Sequence, residues 1–325
     1  MMQPKIVLAT VAVAGLAALA PSAFAERIFV SNEKDNAITV LDGQSLAITD
    51  TIKTGQRPRA ILLSTDGKSL YICASDSDEI QVLDLATLKI TGTLPSGTDP
   101  ERFDTSPDGK FLYIANENDN KVSFLDVAAG KIVAEVPVGI EPEGMATSPD
   151  GKIVVDTTET TSMAHFIDTE AKKVVANVLV DSRPRVAAWT PDGTQVWTSS
   201  EVGGTVAVID AKTHAILKKI SFEIPGLTSG RAQPVDIKFT KDGKTAFVAL
   251  GPANRVAVID PKSFAVQKYI LVGQRVWNMA FSPDQKRLFT ANGISNDITI
   301  IDVADQKATK SVPVGRSPWG VAVSP

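Results

Sequence analysis

The chain has 325 residues, 43% of them hydrophobic and 22% charged, with a formal net charge of −4 at pH 7. This is ordinary globular composition with ample apolar material for a large core. The acidic balance excludes nucleic acid as a general partner, since phosphate binding needs a net basic face. The single cysteine, Cys73, excludes an internal disulfide, so packing alone must hold the fold.

The first residues carry Lys5 and then a nearly unbroken apolar run, Ile6–Ala20, followed by Pro21 and the triplet Ala23-Phe24-Ala25. A charged start, an apolar centre and a small-x-small site form the pattern of a secretory leader, and the run is too short for a permanent membrane helix. Residues 1–25 therefore read as a signal peptide, with Glu26 as the mature N-terminus. The expectation is a periplasmic or secreted protein whose mature chain contains no membrane span.

Beyond Glu26 the chain repeats itself. An apolar pair followed by Asp recurs at Asp42, Asp84, Asp126, Asp168, Asp210, Asp260 and Asp302, in steps of 42 residues with one step of 50. The turn aspartates Asp66, Asp108, Asp150, Asp192, Asp242 and Asp284 keep the same rhythm and the same break. One insertion near Phe222–Pro234 accounts for it. A period near 40 built from short alternating strands marks propeller blades rather than helical solenoids.

The elements follow in chain order. Arg27–Asn32 (RIFVSN) matches Phe111–Asn116 (FLYIAN), so the mature chain begins inside a repeat. The unit at Pro100 shows the logic: a short strand Phe103–Thr105, a type I turn Ser106-Pro107-Asp108-Gly109, and a β-rich strand Phe111–Asn116. A polar turn Glu117–Asn120, a third strand Val122–Leu125 and an outer strand Lys131–Val138 complete it. Such blades lie near 58–97, 100–139, 142–181, 184–226, 234–273 and 275–315. A seventh begins at Pro318 and stops at Pro325, where its turn should begin, and residues 27–55 supply the missing part. The expected fold is all-β: a seven-bladed β-propeller with four antiparallel strands per blade, the last blade closed by the N-terminal strands.

Cys73 shares its repeat column with Ser31, Ala115, Thr157, Ser199, Ala249 and Ala291, all small, which points to a buried structural thiol. The two histidines, His165 and His214, lack metal-ligand spacing, and there is no C-x-x-C-H for covalent haem. His165 falls among Thr39, Gln81, Ser123, Ala207, Ala257 and Thr299, the pattern of a packed or edge residue, and His214 sits in a polar turn. No cofactor and no metal are expected.

The segment Tyr113-Ile114-Ala115-Asn116, the LD or ID strand ends, the VG after the fourth strand and the SPDG turns resemble YVTN-type β-propeller repeats. The likeness covers essentially all of the mature chain. With the leader and the uniform period, it is most like the periplasmic propellers associated with PQQ-dependent alcohol catabolism. That resemblance implies a place beside a quinoprotein dehydrogenase or a transport component, without supplying a molecular activity. The chain is not expected to be the quinoprotein itself.

Function must come from what the fold does not require. The loop leading into each inner strand keeps its glycine and proline but changes its charges: Arg57 and Arg59, then Asp99 and Glu101, Glu141 and Glu143, Arg183 and Arg185, with Arg275, Trp277 and Trp319 on the last two blades. Grouped by blade in this way they suggest a polarised funnel at the channel mouth, the alternative being a solvated mixed-charge rim. On the innermost strand, the alternate positions expected to face the channel are mostly small. They break at Arg102 and Asp104, at Asp236 and Lys238, and at Asn278. These form either self-neutralising pairs or a set holding an anionic or polyhydroxy ligand. The insertion, with Arg231, is expected to overhang the mouth. In blade three, Asp156 replaces an aliphatic residue near His165, as a loop cap or an acid–base group.

The leading expectation is a binding or interaction protein that takes a small polar ligand or a partner protein in this funnel. One rival is a lactonase-like hydrolase using Asp104, Asp156 or Asp236 as base with arginine steadying the oxyanion. The other is a structural or adhesive surface propeller.

Overall fold

The computed structural model describes residues 26–228 and 230–325, so the expected leader, residues 1–25, lies outside the described part. Within it, seven four-stranded antiparallel sheets are arranged as propeller blades, and the longest helical elements are three-residue 3-10 turns such as Glu117–Asp119. No helix among the described residues is long and apolar enough to cross a membrane.

Each blade grows from local chemistry. In the turn after the inner strand Pro100–Thr105, Asp108 Oδ1 accepts from Ser106 Oγ at 2.7 Å, and Gly109 N donates to Ser106 O at 2.8 Å. Gly109 closes the turn at φ 69°, a conformation that costs glycine little. Gln285 holds the equivalent place in blade six at φ 56°. At the end of each third strand, the repeated Asp ties down the next turn, as Asp42 does by accepting from Ser45 N at 2.7 Å.

In blades two, six and seven an asparagine ends the second strand, and Asn116 ties it to the third strand and to the loop before the inner strand. Asn116 Nδ2 donates to Ser123 Oγ at 2.8 Å, and its Oδ1 accepts from Gly97 N at 2.9 Å. Asn32 to Thr39 and Asn292 to Thr299 repeat the first contact. Gly97 is needed for the second, because a Cβ there would lie 2.8 Å from Asn116 Cγ.

The core lies between blades, where the second and third strands stack. Phe29, Phe124, Phe166, Trp197, Phe247 and Phe289 are all fully buried there. The chain ends meet as expected: Arg27–Asn32 pairs antiparallel with Pro318–Ser324 on one side, Phe29 opposite Ala322, and with Ala37–Asp42 on the other, Phe29 opposite Val40. Cys73 is buried, with its thiol pushed up by desolvation.

Two placements differ from the expectation. The insertion lies on the side of blades four and five: Phe222, Ile224 and Leu227 pack into their shared core, and Arg231 donates to Pro252 O at 3.3 Å. Apolar residues spaced along an insertion bury themselves where a groove exists. The inner strands also do not alternate between core and channel. They turn an edge to the axis, and both side-chain faces pack toward neighbouring blades, as Phe103 and Ala60 do in one cluster.

Candidate functional site

The swapped charges of the inner-strand loops answer one another across blades. Arg57 and Arg59 of blade one pair with Asp99 and Glu101 of blade two, Arg57 Nη1 lying 3.2 Å from Glu101 Oε1, and Arg59 Nε 2.7 Å from Glu33 Oε1. Arg185 of blade four pairs with Glu143 at 3.1 Å, with Glu159, and with Glu201 at 3.6 Å. Arg183 reaches Glu159 at 2.9 Å and Glu201 at 3.1 Å. Each guanidinium here lies against at least one carboxylate, as burial demands, although neither Glu143 oxygen is hydrogen-bonded.

This end of the axis is therefore filled rather than open. Glu101, Glu143, Arg185, Val235 and Trp319 are all buried. Trp277 lies between Arg275 and Arg185, whose guanidinium carbons are 4.0 and 5.4 Å from its ring, and Trp319 lies between Arg102 and Arg59 at 4.8 and 5.7 Å. The expected funnel is a plug, because complementary charges on adjacent blades find each other before they find a ligand. Burial pushes Glu143 up to about 8, helped by Glu101 and Glu159 against the pull of Arg185. Beside Glu101, Glu117 is pushed up to about 9 and Asp99 to about 6, in each case chiefly by desolvation.

Below the plug the channel opens into a cavity of about 630 Å³ that faces the turns after the inner strands. Its lining includes Arg102, Asp104, Lys238, Asn278 and Trp319. Arg102 spans the axis from blade two to blade six, where Nη1 donates to Asn278 Oδ1 at 3.0 Å. Burial lowers the affinity of this guanidinium for its proton, opposed first by Asp236.

Three buried donors at this closed end have no acceptor among the described residues: Arg102 Nε, Asn278 Nδ2 and Trp319 Nε1. Buried donors are normally paired, so three beside one another call for an explanation. Unpaired carboxylate oxygens of Glu101 and Glu143 lie in the adjoining plug, while these three atoms of the cavity-lining residues can only donate.

The channel aspartates have a different task. Asp104 Oδ2 accepts from Thr147 N of the next blade at 2.7 Å, and Oδ1 from Thr105 N at 2.8 Å. Asp236 Oδ2 accepts from Met279 N of the next blade at 2.8 Å, while Oδ1 meets Lys238 Nζ at 3.2 Å. Both satisfy amides on the exposed edge of an inner strand, which nothing in the sheet can pair. Burial raises the pKa of Asp104, with the two amides and Lys238 opposing.

The remaining sequence candidates lie elsewhere. Asp156 is fully buried, with neither carboxylate oxygen hydrogen-bonded; it caps no loop and makes no bond to its ladder neighbour His165. Its pKa is driven well above the ordinary value by desolvation and by Glu143. His165 Nε2 accepts from Gly139 N at 3.1 Å, and its Nδ1 faces Asn177 Oδ1 at 2.6 Å. It fills the place that a hydroxyl or amide takes in other blades, and burial lowers its pKa. Arg231 is not among the cavity residues.

Sequence reasoning missed the acidic partners Glu33, Glu159 and Glu201. The signal was present: they stand with Glu117 in one repeat column, directly after the second-strand terminus. It also missed the aromatic mouth formed by Trp189, Phe239 and Phe281, which end three consecutive inner strands and line the cavity.

No curated protein matches this sequence. Among solved structures, it resembles a protein of unknown function from Desulfotomaculum acetoxidans, with TM-score 0.78 and 16% identity over 92% of this chain and 98% of that one. A candidate 6-phosphogluconolactonase from Bacteroides uniformis gives TM-score 0.76 and 16% identity over 92% and 99%. The hydrazine synthase of Kuenenia stuttgartiensis gives 0.72 and 22% over 81% and 88%. At such identities the likeness is one of fold. The model of one family, the seven-bladed β-propeller lactonases, matches residues 25–135 and 145–312. With seven closed blades, and a match running through nearly all of them, the chain belongs to the seven-bladed β-propeller lactonase family.

Proposed function

We propose that the blind channel binds the oxygen-bearing end of a small lactone and that the protein opens the ring by hydrolysis. The observation that carries this is the part-exposed Arg102 at the closed end of the cavity, with Arg102 Nε, Asn278 Nδ2 and Trp319 Nε1 of the lining residues buried and unpaired around it. When water attacks a lactone, its carbonyl oxygen becomes an oxyanion, and fixed donors stabilise that species more than the neutral ester. Asp104, held in the cavity wall, is the base. It takes a proton from water as the water oxygen joins the carbonyl carbon, then yields it to the ring oxygen as that C–O bond breaks. The product is a hydroxy acid. Membership of the lactonase family supports the reaction class.

A second reading, binding without turnover, is favoured by the engagement of both Asp104 oxygens with backbone amides. In that reading the protein is an exported accessory beside a quinoprotein dehydrogenase or a transport component, as the YVTN-like repeats and the leader-like residues 1–25 suggest.

The test is proton release from a panel of γ- and δ-lactones. Turnover should fall about 100-fold or more in Arg102→Met and in Asp104→Asn, if both variants keep the parent melting temperature. Ligand binding that depends on Arg102, with no ring opening, would leave the accessory reading. Absence of both would remove the channel as the site.

A further inference from the structure

The cavity wall changes character along its length. Inner-strand side chains at the closed end supply the donors Arg102, Asn278 and Trp319. Three residues beyond the level of Arg102 and Asn278, at about 3.3 Å per residue and so roughly 10 Å away, the inner strands of blades one, four, five, six and seven place Leu63, Trp189, Phe239, Phe281 and Val323 in the wall. Between them lie Ala146, Ala188, Ala280 and Ala322, which leave the axis wide.

The aromatic wall is rigidly backed. Phe239 meets the fully buried Trp197 edge-on at 5.0 Å, Phe281 meets Phe247 at 5.8 Å, and Trp189 meets Phe166 at 6.5 Å. Trp189 Nε1 already donates to Ala146 O at 3.0 Å, so the ring shows the cavity no free donor. The polar side chains outside the closed end are occupied too. Asp104 accepts two amides, Lys238 lies on Asp236, and Lys241 Nζ donates to Pro283 O at 3.2 Å.

We infer that the channel selects an amphiphile, a carboxylate or lactone head carrying an unbranched alkyl or aryl body about 10 Å long, over a polyhydroxylated sugar acid. This rests on the blind-channel reading. The head meets Arg102 at the closed end, and the body exchanges water for a fixed apolar wall. A sugar acid would bring its hydroxyls against a wall that is largely apolar beyond Asp104, Lys238 and Lys241.

The experiment is calorimetric titration of the whole mature protein with straight-chain carboxylates from acetate to decanoate, and with phenylacetate and gluconate. Affinity should rise about fourfold for each methylene added inside the channel, then level off as the chain reaches the mouth. Hexanoate should bind at least tenfold more tightly than gluconate. Phe281→Leu should lower only the plateau, by a smaller factor. A series that is flat from acetate to decanoate, or gluconate equal to hexanoate, overturns the amphiphile and leaves ring opening to be judged by proton release. Failure of every carboxylate, acetate included, overturns both.

Discussion

Arg275 on blade six reaches over blade five to Glu201 on blade four, its Nη2 2.6 Å from Glu201 Oε1. The same carboxylate receives Arg183 and Arg185, and the Arg275 guanidinium lies 4.0 Å above the Trp277 ring. Blade five offers no charge at this level: Val235 is apolar, and Gln233 Oε1 accepts from Arg275 Nη1 at 3.1 Å. One glutamate thus ties three arginines on two blades, and the plug is a network rather than a set of separate pairs.

Removing Glu201 should therefore be severe. Glu201→Ala leaves the Arg185 and Arg275 cations short of an acid partner and should cost about 3–5 kcal/mol. Urea unfolding measures this directly. A loss below about 1 kcal/mol would mean that the arginines re-pair with Glu143 and Glu159.

The carboxyls of the plug should make the protein lose stability in base. Asp99, Glu143 and Glu117 are pushed up to about 6, 8 and 9. In each case the folded chain keeps a proton that the unfolded chain has already released, so the contribution is complete below about pH 4 and is lost as pH rises through these values. The turn aspartates such as Asp66 and Asp150 have lowered values from their serine and amide bonds, and their contribution is lost in acid. Melting temperature should peak in mildly acidic buffer and decline toward pH 9, and Glu117→Gln with Glu143→Gln should flatten the decline. An unchanged slope in the double variant would show these carboxyls to be ionised.

Asp156 is a standing cost to the fold. Its column holds Val30, Ile72 and Ile114 in other blades, and its two oxygens have no hydrogen-bond partner. Asp156→Val should stabilise the protein by about 1–3 kcal/mol and raise the melting temperature, with the proposed lactone opening untouched. Lost turnover in a stabilised variant would instead reveal a role for this buried acid.

The terminal clasp closes the ring. Ending the chain at Ser317 removes the strand beside Arg27–Asn32 and exposes a fresh edge with Ile28, Phe29 and Val30 at it. The shortened protein should aggregate or elute as higher oligomers in size-exclusion chromatography. Val321→Asp should do the same more mildly. A monomeric truncate with the parent melting temperature would mean that the ring holds without its clasp.

The fold was legible because its causes are local and repeated. A turn aspartate every 42 residues, an apolar pair followed by Asp, and small residues in the Cys73 column each report one blade at a time, and the single step of 50 marks the insertion. The closure followed from counting, since the matching strand Arg27–Asn32 had to pair somewhere. Arg102, Asp104, Asp236, Lys238 and Asn278 were also readable as exceptions in columns of small residues.

What the tertiary structure alone decided is where those exceptions point. Arg102 and Asn278 stand 176 positions apart and meet only because seven blades close a circle. Whether Arg59 faces a ligand or Glu101 depends on a neighbour one full repeat away, and no period in the chain reports that pairing. The direction of the channel, plugged at the loops and open at the turns, follows from the same cause. Opposite charges on adjacent blades cancel at one end, while the aromatic rims of blades four to six have no such partners at the other.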